Sequence, residues 1–138
     1  IPGRGTRLLQ LLDLSREPKE FVRRLREAEE GVYRRPDDPR TAWDADEHAQ
    51  AAREAGLNVT ASELQEFAGR RLIRPEDLGR WLAVASSTPE RESYGSLIAR
   101  ALSQEELERL RELCRLQLSG REAVWTSVYL FLAAQKVD

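Results

Sequence analysis

Apolar residues recur every three or four positions along most of the chain, and no run alternates convincingly with a period of two. The spacing is clearest over 18–30 and 104–118, where one side of each predicted helix is apolar and the other carries Arg and Glu. Further helices are predicted over 44–55, 60–69, 75–85 and 88–102. The pattern therefore predicts an all-α fold, a compact bundle of about six to eight short helices.

Capping signals mark where these helices should begin and end. A capping box, in which Ser or Thr precedes Glu by three residues, occurs at Thr60, Ser103 and Ser119. Gly56 supplies a C-terminal stop for the helix that precedes Thr60. The stretch 51–70 is thus predicted to be the end of one helix, a short turn and the start of another.

The C-terminal segment REAVWTSVYLFLAAQ, residues 121–135, is apolar nearly all round. Such a helix is usually buried, so this one is predicted to be the central helix of the bundle. The same surface could instead be kept for a partner or for a second copy of the chain. An apolar, β-branched run can also be a strand, but the capping box at Ser119 and the length of the segment favour a helix.

The length indicates a single domain over 1–138, because a chain of 138 residues can bury one core of ordinary size. The first six residues and the proline-containing loop at 34–41 are expected to be flexible. Within the domain, residues 15–83 and 84–138 are expected to form two helical halves.

The composition is that of a charged globular protein without an obvious electrostatic target. The formal net charge is −2, so no overall basic field indicates nucleic acid or an anionic membrane as a partner. No apolar stretch reaches about 18 residues, and the N-terminal residues lack a signal-peptide pattern. One cysteine excludes an internal disulfide framework. We therefore expect a cytoplasmic protein without a membrane span.

Few side chains are suited to catalysis. His48 is the single histidine, and it lacks a second ligand at metal-binding spacing. Cys114 lies on the apolar side of a predicted helix, with no base placed near it by the sequence. The carboxylates lie at helical spacing from arginines, and no phosphate-binding loop is present. The sequence therefore predicts no enzyme, no metal and no cofactor.

The helix-turn-helix predicted at 51–70 raises DNA binding as an alternative. A recognition helix should present Arg, Lys, Asn or Gln to the base edges. The second predicted helix offers Gln65, but Glu63 and Glu66 would face phosphates and weaken binding. Direct binding of nucleic acid is therefore the less favoured interpretation.

The same region resembles the Nif-eleven-like leader-peptide domain, over about residues 15–83. The resemblance is carried by Glu20-Phe21-Val22 to Leu25, Ala45-Asp46-Glu47, Ala52-Arg53-Glu54-Ala55-Gly56, Leu57-Asn58-Val59-Thr60 and Ala61-Ser62-Glu63-Leu64, with a weaker continuation at Pro75-Glu76-Asp77-Leu78. That family occurs in precursors of modified peptides and near nitrogen-fixation loci. The resemblance implies a small helical unit that another protein recognises. Because no Gly-Gly cleavage site follows Leu82 and the chain continues, it implies a retained module and not a disposable leader.

These observations favour a non-catalytic interaction module, an accessory or regulatory subunit that docks on a larger protein complex. The alternatives are a small phage or bacterial transcription regulator acting on RNA polymerase, or a helix-turn-helix DNA binder. Residues 41–69 carry six acids against one base and could form an acidic docking face. A homodimer through the C-terminal helix is a further alternative. The candidate partner-binding residues are Leu57, Val59, Glu63, Leu64, Glu66, Phe67, Trp125 and Tyr129.

Overall fold

The computed structural model describes residues 5–35, 44–84 and 93–137. In this part of the chain a short 3-10 helix, Leu8–Leu11, precedes five α-helices: α1 (Lys19–Tyr33), α2 (Ala45–Glu54), α3 (Pro75–Trp81), α4 (Tyr94–Ala101) and α5 (Gln104–Gln117). Two long strands, β1 (Leu57–Ile73) and β2 (Arg121–Lys136), pair antiparallel into a two-stranded ribbon. The fold therefore mixes helices with a sheet.

The all-α prediction is wrong at two places. Residues 60–69 and 121–135 lie in β1 and β2, and each strand is the pairing partner of the other. The predicted central C-terminal helix does not exist, so a homodimer through that helix has no structural basis. The second helix of the predicted helix-turn-helix, which is also the helix that the leader-domain resemblance implies after Thr60, is likewise a strand.

Long-range pairing overrides the local helical signals in these two segments. Leu57 pairs with Lys136 and Ile73 pairs with Arg121, so partner residues lie far apart in sequence and leave no local pattern. The capping box at Thr60 has no helix to cap, because the ladder instead has an irregularity between Val59 and Ala61. Strand β2 is rich in β-branched and aromatic residues, which suit a pleated surface once a partner strand lies beside them.

The other helices begin and end as their local chemistry requires. The Asp44 side chain accepts a hydrogen bond from the backbone N–H of Glu47 at 2.9 Å and caps α2. Ser103 and Glu106 form both bonds of the predicted capping box at the start of α5. Gly56, with φ of 84°, ends α2 and turns the chain directly into β1.

Two expectations fall partly on residues outside the described ranges. The predicted flexibility at 1–6 and 34–41 includes residues 1–4 and 36–41, which the structure does not describe. The helix predicted over 88–102 corresponds to α4 from Tyr94, and residues 85–92 lie outside the description.

The buried core is built mainly by helices. Helix α1 packs on α4, and α5 packs on α3 and α4. The fully buried side chains of largest volume are Leu25, Ile73, Ile98, Leu110 and Cys114. Of the ribbon residues, Ile73 belongs to this core and Ala123 packs against it. The root of the ribbon is therefore embedded in the helical core, and most of its length lies outside that core.

None of the helices in the described part of the chain has both the length and the apolar character needed to cross a bilayer.

Candidate interaction surface

The ribbon has two faces of different character. Directly opposed residues of an antiparallel pair share a face, and successive residues alternate between faces. Opposed pairs are Phe67 with Ser127, Gln65 with Tyr129 and, further along, Glu63 with Phe131. From position 61 onward, odd-numbered residues of both strands therefore form one face, which we call the aromatic face. Even-numbered residues form the other, which we call the aliphatic face.

Three rings form a cluster on the aromatic face. The Phe67 ring lies 5.5 Å from Tyr129 and 6.3 Å from Phe131, both in edge-to-face geometry. Such geometry is the favourable one for aromatic pairs. Even so, Phe67, Tyr129 and Phe131 remain 49%, 53% and 51% exposed. The cluster holds its rings in place while it leaves half of their surface to solvent, which is typical of a binding surface.

Nearer the root, the same face is tied to the helical core. The Trp125 ring lies 5.4 Å from Trp81 of α3. The guanidinium of Arg71 lies 5.2 Å from the Trp81 ring and 5.0 Å from the Trp125 ring. This cation–π arrangement anchors the ribbon to α3. Trp125, a sequence-predicted binding residue, is thus an anchor for the surface and lies outside the exposed ring cluster.

The aliphatic face is partly covered. Leu64 and Leu130 are half-buried and directly opposed, and α2 packs along β1. Leu57 and Val59 also lie on this face, although their numbers are odd. The irregularity between Val59 and Ala61 shifts the register by one residue, so these two residues are opposed to the even-numbered Lys136 and Ala134 of β2. Closer to the root, Leu72 and Val124 are 49% and 63% exposed. The exposed apolar surface on this side is therefore confined to the root end and to Leu132.

The two outer edges of the ribbon differ. Thr6 donates its backbone N–H to the carbonyl oxygen of Thr126 at 2.9 Å, and the Thr126 N–H donates to the Thr6 hydroxyl at 2.8 Å. The outer edge of β2 is therefore occupied at Thr126. Within the described ranges, β1 has β2 as its only partner strand, so its outer edge is unpaired.

The position of Thr6 also fixes which backbone groups of β1 point outward. The N–H and C=O of Thr126 point away from β1 and bond to Thr6. Thr126 and Ala68 are therefore directly opposed without exchanging backbone hydrogen bonds, which makes them a non-hydrogen-bonded pair. Ala68 therefore also directs its N–H and C=O away from β2. The carbonyl of Ile73 points inward, where it accepts from the Gly120 N–H at 2.8 Å. From Ser62 to Leu72, the even-numbered residues of β1 thus present the unpaired donors and acceptors.

The ribbon brings together all eight residues predicted as partner-binding. Glu63, Phe67, Trp125 and Tyr129 lie on the aromatic face, and Leu57, Val59, Leu64 and Glu66 lie on the aliphatic face. Phe131, whose ring completes the exposed cluster, was not among the residues predicted from the sequence. The signal for it is that Trp125, Tyr129 and Phe131 all have odd numbers, which places them on one face of a strand. In a helix the same three residues would not share one face.

The predicted acidic docking face is divided by the structure. Asp44 precedes α2, while Asp46, Glu47 and Glu54 lie on that helix. Glu63 and Glu66 lie on opposite faces of β1. The acids are therefore spread over a helix and both sides of the ribbon.

The groups with reactive chemistry lie in the helical core. Cys114 is fully buried, and burial raises the pKa of its thiol to about 12. Glu29 is 5% exposed, and its carboxylate accepts from the Tyr94 hydroxyl at 2.6 Å and from the Leu9 N–H at 3.2 Å. Within residues 5–35, 44–84 and 93–137, no group of three or more His, Cys, Asp or Glu side chains is placed to hold a metal ion.

Comparison with known proteins gives no match: no family model, no curated protein and no solved structure corresponds to the chain.

Proposed function

We propose that the protein is a non-catalytic interaction module, an accessory or regulatory subunit that docks on a larger protein through the ribbon. The observation that carries this proposal is the half-exposed ring cluster of Phe67, Tyr129 and Phe131. Aromatic side chains in ordered clusters contribute large apolar area at a small cost in conformational entropy, which is why they dominate binding hot spots.

The surroundings of the cluster indicate the chemistry of its partner. Glu63 is directly opposed to Phe131, and Gln65 is opposed to Tyr129, so polar groups border the rings on the β1 side. An apolar side chain flanked by a basic residue would bury the rings and pair with Glu63. The buried thiol of Cys114 supports a non-catalytic role, because a thiol with a raised pKa is a poor nucleophile. Action in the cytoplasm is part of this proposal.

The DNA-binding alternative lacks its recognition element. Residues that would form the recognition helix lie in β1, with Glu63 and Glu66 on opposite faces of the ribbon. No basic stripe replaces that helix on the aromatic face, where Arg71 is engaged by two tryptophans.

An affinity capture with matched variants tests the proposal. The tagged protein is incubated in lysate of its host, crosslinked briefly and recovered, in parallel with Phe131→Ser and Val124→Ser. Both substitutions remove an exposed apolar side chain from β2, but from opposite faces. We expect one stoichiometric protein partner with the wild type and with Val124→Ser, and at least tenfold less of it with Phe131→Ser.

Circular dichroism spectra that match the wild type establish that both variants are folded. Equal recovery by all three proteins, or nucleic acid as the only recovered macromolecule, would contradict the proposal.

A further inference from the structure

We propose that the outer edge of β1 pairs antiparallel with the same edge of a second copy of the chain, about a two-fold axis at Ala68. The two ribbons would then form one four-stranded sheet in the order β2-β1-β1-β2. This self-association goes beyond the proposed docking function, because it uses the edge of the ribbon and needs no other protein.

The first argument is the unpaired backbone of β1. A two-stranded ribbon is marginally stable by itself, and long open edges in natural sheets are normally covered or paired. The even-numbered residues from Ser62 to Leu72 direct their N–H and C=O groups outward in the described structure. The corresponding groups of β2 are engaged by Thr6 at Thr126, so β1 offers the better edge for strand addition.

The second argument is charge complementarity along that edge. Glu66 and Arg70 lie on the same face, four positions apart, with Ala68 midway between them. With the two-fold axis at Ala68, Glu66 of one copy lies opposite Arg70 of the other, and this pair occurs twice. Opposite charges in directly opposed positions stabilise an antiparallel pair, while like charges destabilise it.

The same register also matches the apolar residues. It places Leu64 of one copy opposite Leu72 of the other, and Leu72 is 49% exposed in the single chain. An axis at Phe67 would instead place Leu64 opposite Arg70 and leave Glu66 opposite Ala68. Axes at Glu66 or Arg70 would bring like charges together. The axis at Ala68 thus satisfies both the charged and the apolar positions.

The third argument is Gly69. A glycine inside a strand weakens it and often marks a place where another chain approaches closely. A Cβ at Gly69 would meet no atom of the described residues within 4 Å, so no contact in the described part of the single chain requires glycine there. In the proposed register the Phe67 ring of the second copy lies opposite Gly69, where an aromatic ring can cover the exposed backbone.

The test measures the mass of the purified protein by light scattering and sedimentation over a wide concentration range. We expect a dimer, with Glu66→Arg weakening association about tenfold, which corresponds to about 1.4 kcal/mol. The double variant Glu66→Arg, Arg70→Glu restores opposite charges across the axis and should recover most of the affinity. The matched control is Glu63→Arg, which makes the same charge change opposite the apolar Ile73, so we expect a smaller loss.

Crosslinking checks the register. Ala68→Cys places two cysteines directly across the axis, where Cα atoms of opposed strands are about 5.5 Å apart and within the span of a short thiol-to-thiol crosslinker. Ser62→Cys is the control, because its copies would lie at opposite ends of the overlap. Buried Cys114 does not compete. Efficient crosslinking of Ala68→Cys, with little or no crosslinking of Ser62→Cys, supports the proposal.

A monomer at all concentrations, a dimer indifferent to Glu66→Arg, or equal crosslinking at both cysteines would overturn it. Because these experiments use the purified chain alone, their failure is distinguishable from a failure of the proposed docking function.

Discussion

At the scale of single residues, Glu29 is a buried ionisable group in the helical core. It lies on α1 and accepts hydrogen bonds from Leu9 of the 3-10 helix and from Tyr94 of α4. Burial raises the pKa of its carboxyl above the ordinary value of 4.5, while the hydrogen bonds from Tyr94 and Leu9 oppose that rise. One carboxylate thus connects three elements, but burial deprives its charged form of the hydration it would have in water.

The raised pKa of Glu29 predicts a specific pH dependence of stability. Since the folded state holds this proton more tightly than the unfolded state, the contribution to stability is complete below pH 4.5 and is lost as pH rises through the folded pKa. Glu29→Gln removes the titration. The unfolding free energy of the wild type, minus that of Glu29→Gln, should therefore increase as pH falls from 7 toward 4.5.

Urea unfolding at several pH values measures this difference. Comparison with the variant cancels the titration of all other groups that the substitution leaves unchanged. A difference that stays constant with pH, or that decreases as pH falls, would show that Glu29 does not titrate as its burial requires.

At the scale of elements, the ribbon shows how a strand pair can have faces and edges with separate roles. The Trp81, Trp125 and Arg71 stack fixes the root of the ribbon, and Ile73 extends into the core. Further along, the rings lie on one face while the unpaired backbone of β1 lies at the edge. A protein surface and a second strand therefore use different backbone and side-chain groups, except at Phe67, whose ring belongs to the exposed cluster and also lies opposite Gly69 in the proposed pairing.

Proline substitutions test the assignment of inward and outward backbone groups in β1. Gln65 is predicted to donate its N–H to β2, whereas the N–H of Glu66 points outward. Gln65→Pro should therefore destabilise the ribbon by at least about 1 kcal/mol more than Glu66→Pro, because only the former breaks a bond of the ladder.

Both proline variants are best compared by urea unfolding in the Arg70→Glu background and at low protein concentration, so that self-association contributes little to stability. The strain of the proline ring at a strand position is common to both variants and cancels in the comparison. If Glu66→Pro destabilises the protein more than Gln65→Pro does, then the assignment of outward-pointing backbone groups to the even-numbered residues of β1 is wrong.

At the scale of the whole molecule, stability depends on the helical core to which the ribbon is attached. Leu110 of α5 is fully buried in the cluster that also contains Ile73. Leu110→Ala should lower the free energy of unfolding by about 2–5 kcal/mol, through lost burial and the cavity left behind. The control is Leu116→Ala on the same helix, where the leucine is 50% exposed and the loss should be below about 1 kcal/mol.

Thermal or urea unfolding followed by both far-ultraviolet circular dichroism and tryptophan fluorescence checks this prediction. Trp81 and Trp125 report on the junction between core and ribbon, since their rings are in contact there. Equal losses from the two leucine substitutions would mean that α5 does not pack as described.

The helices were predictable and the ribbon was not, for a physical reason. Helical signals such as the Ser103 capping box and the spacing of Leu107, Leu110 and Leu113 are local, so a single sequence contains them. The strand pairing joins residues that are far apart in the sequence, as Leu57 and Lys136 are, so no local pattern records it. In addition, both faces of β2 carry apolar residues, and this hides the alternation with a period of two that would indicate a strand. The candidate residues could be listed from the leader-domain resemblance, the acidic stretch 41–69 and the apolar C-terminal segment, but their division into faces and edges depends on register.

The hydrogen bonds between Thr6 and Thr126 have a consequence for growth of the sheet. Ribbons with two open edges can add further ribbons without limit and form fibrils, as strands do in cross-β polymers. Here Thr6 occupies the outer edge of β2 at Thr126, so strand addition is directed to the edge of β1. A ribbon that adds a strand at one edge only forms a pair that cannot grow further, and the contact at Thr6 would thereby protect the chain from polymerisation.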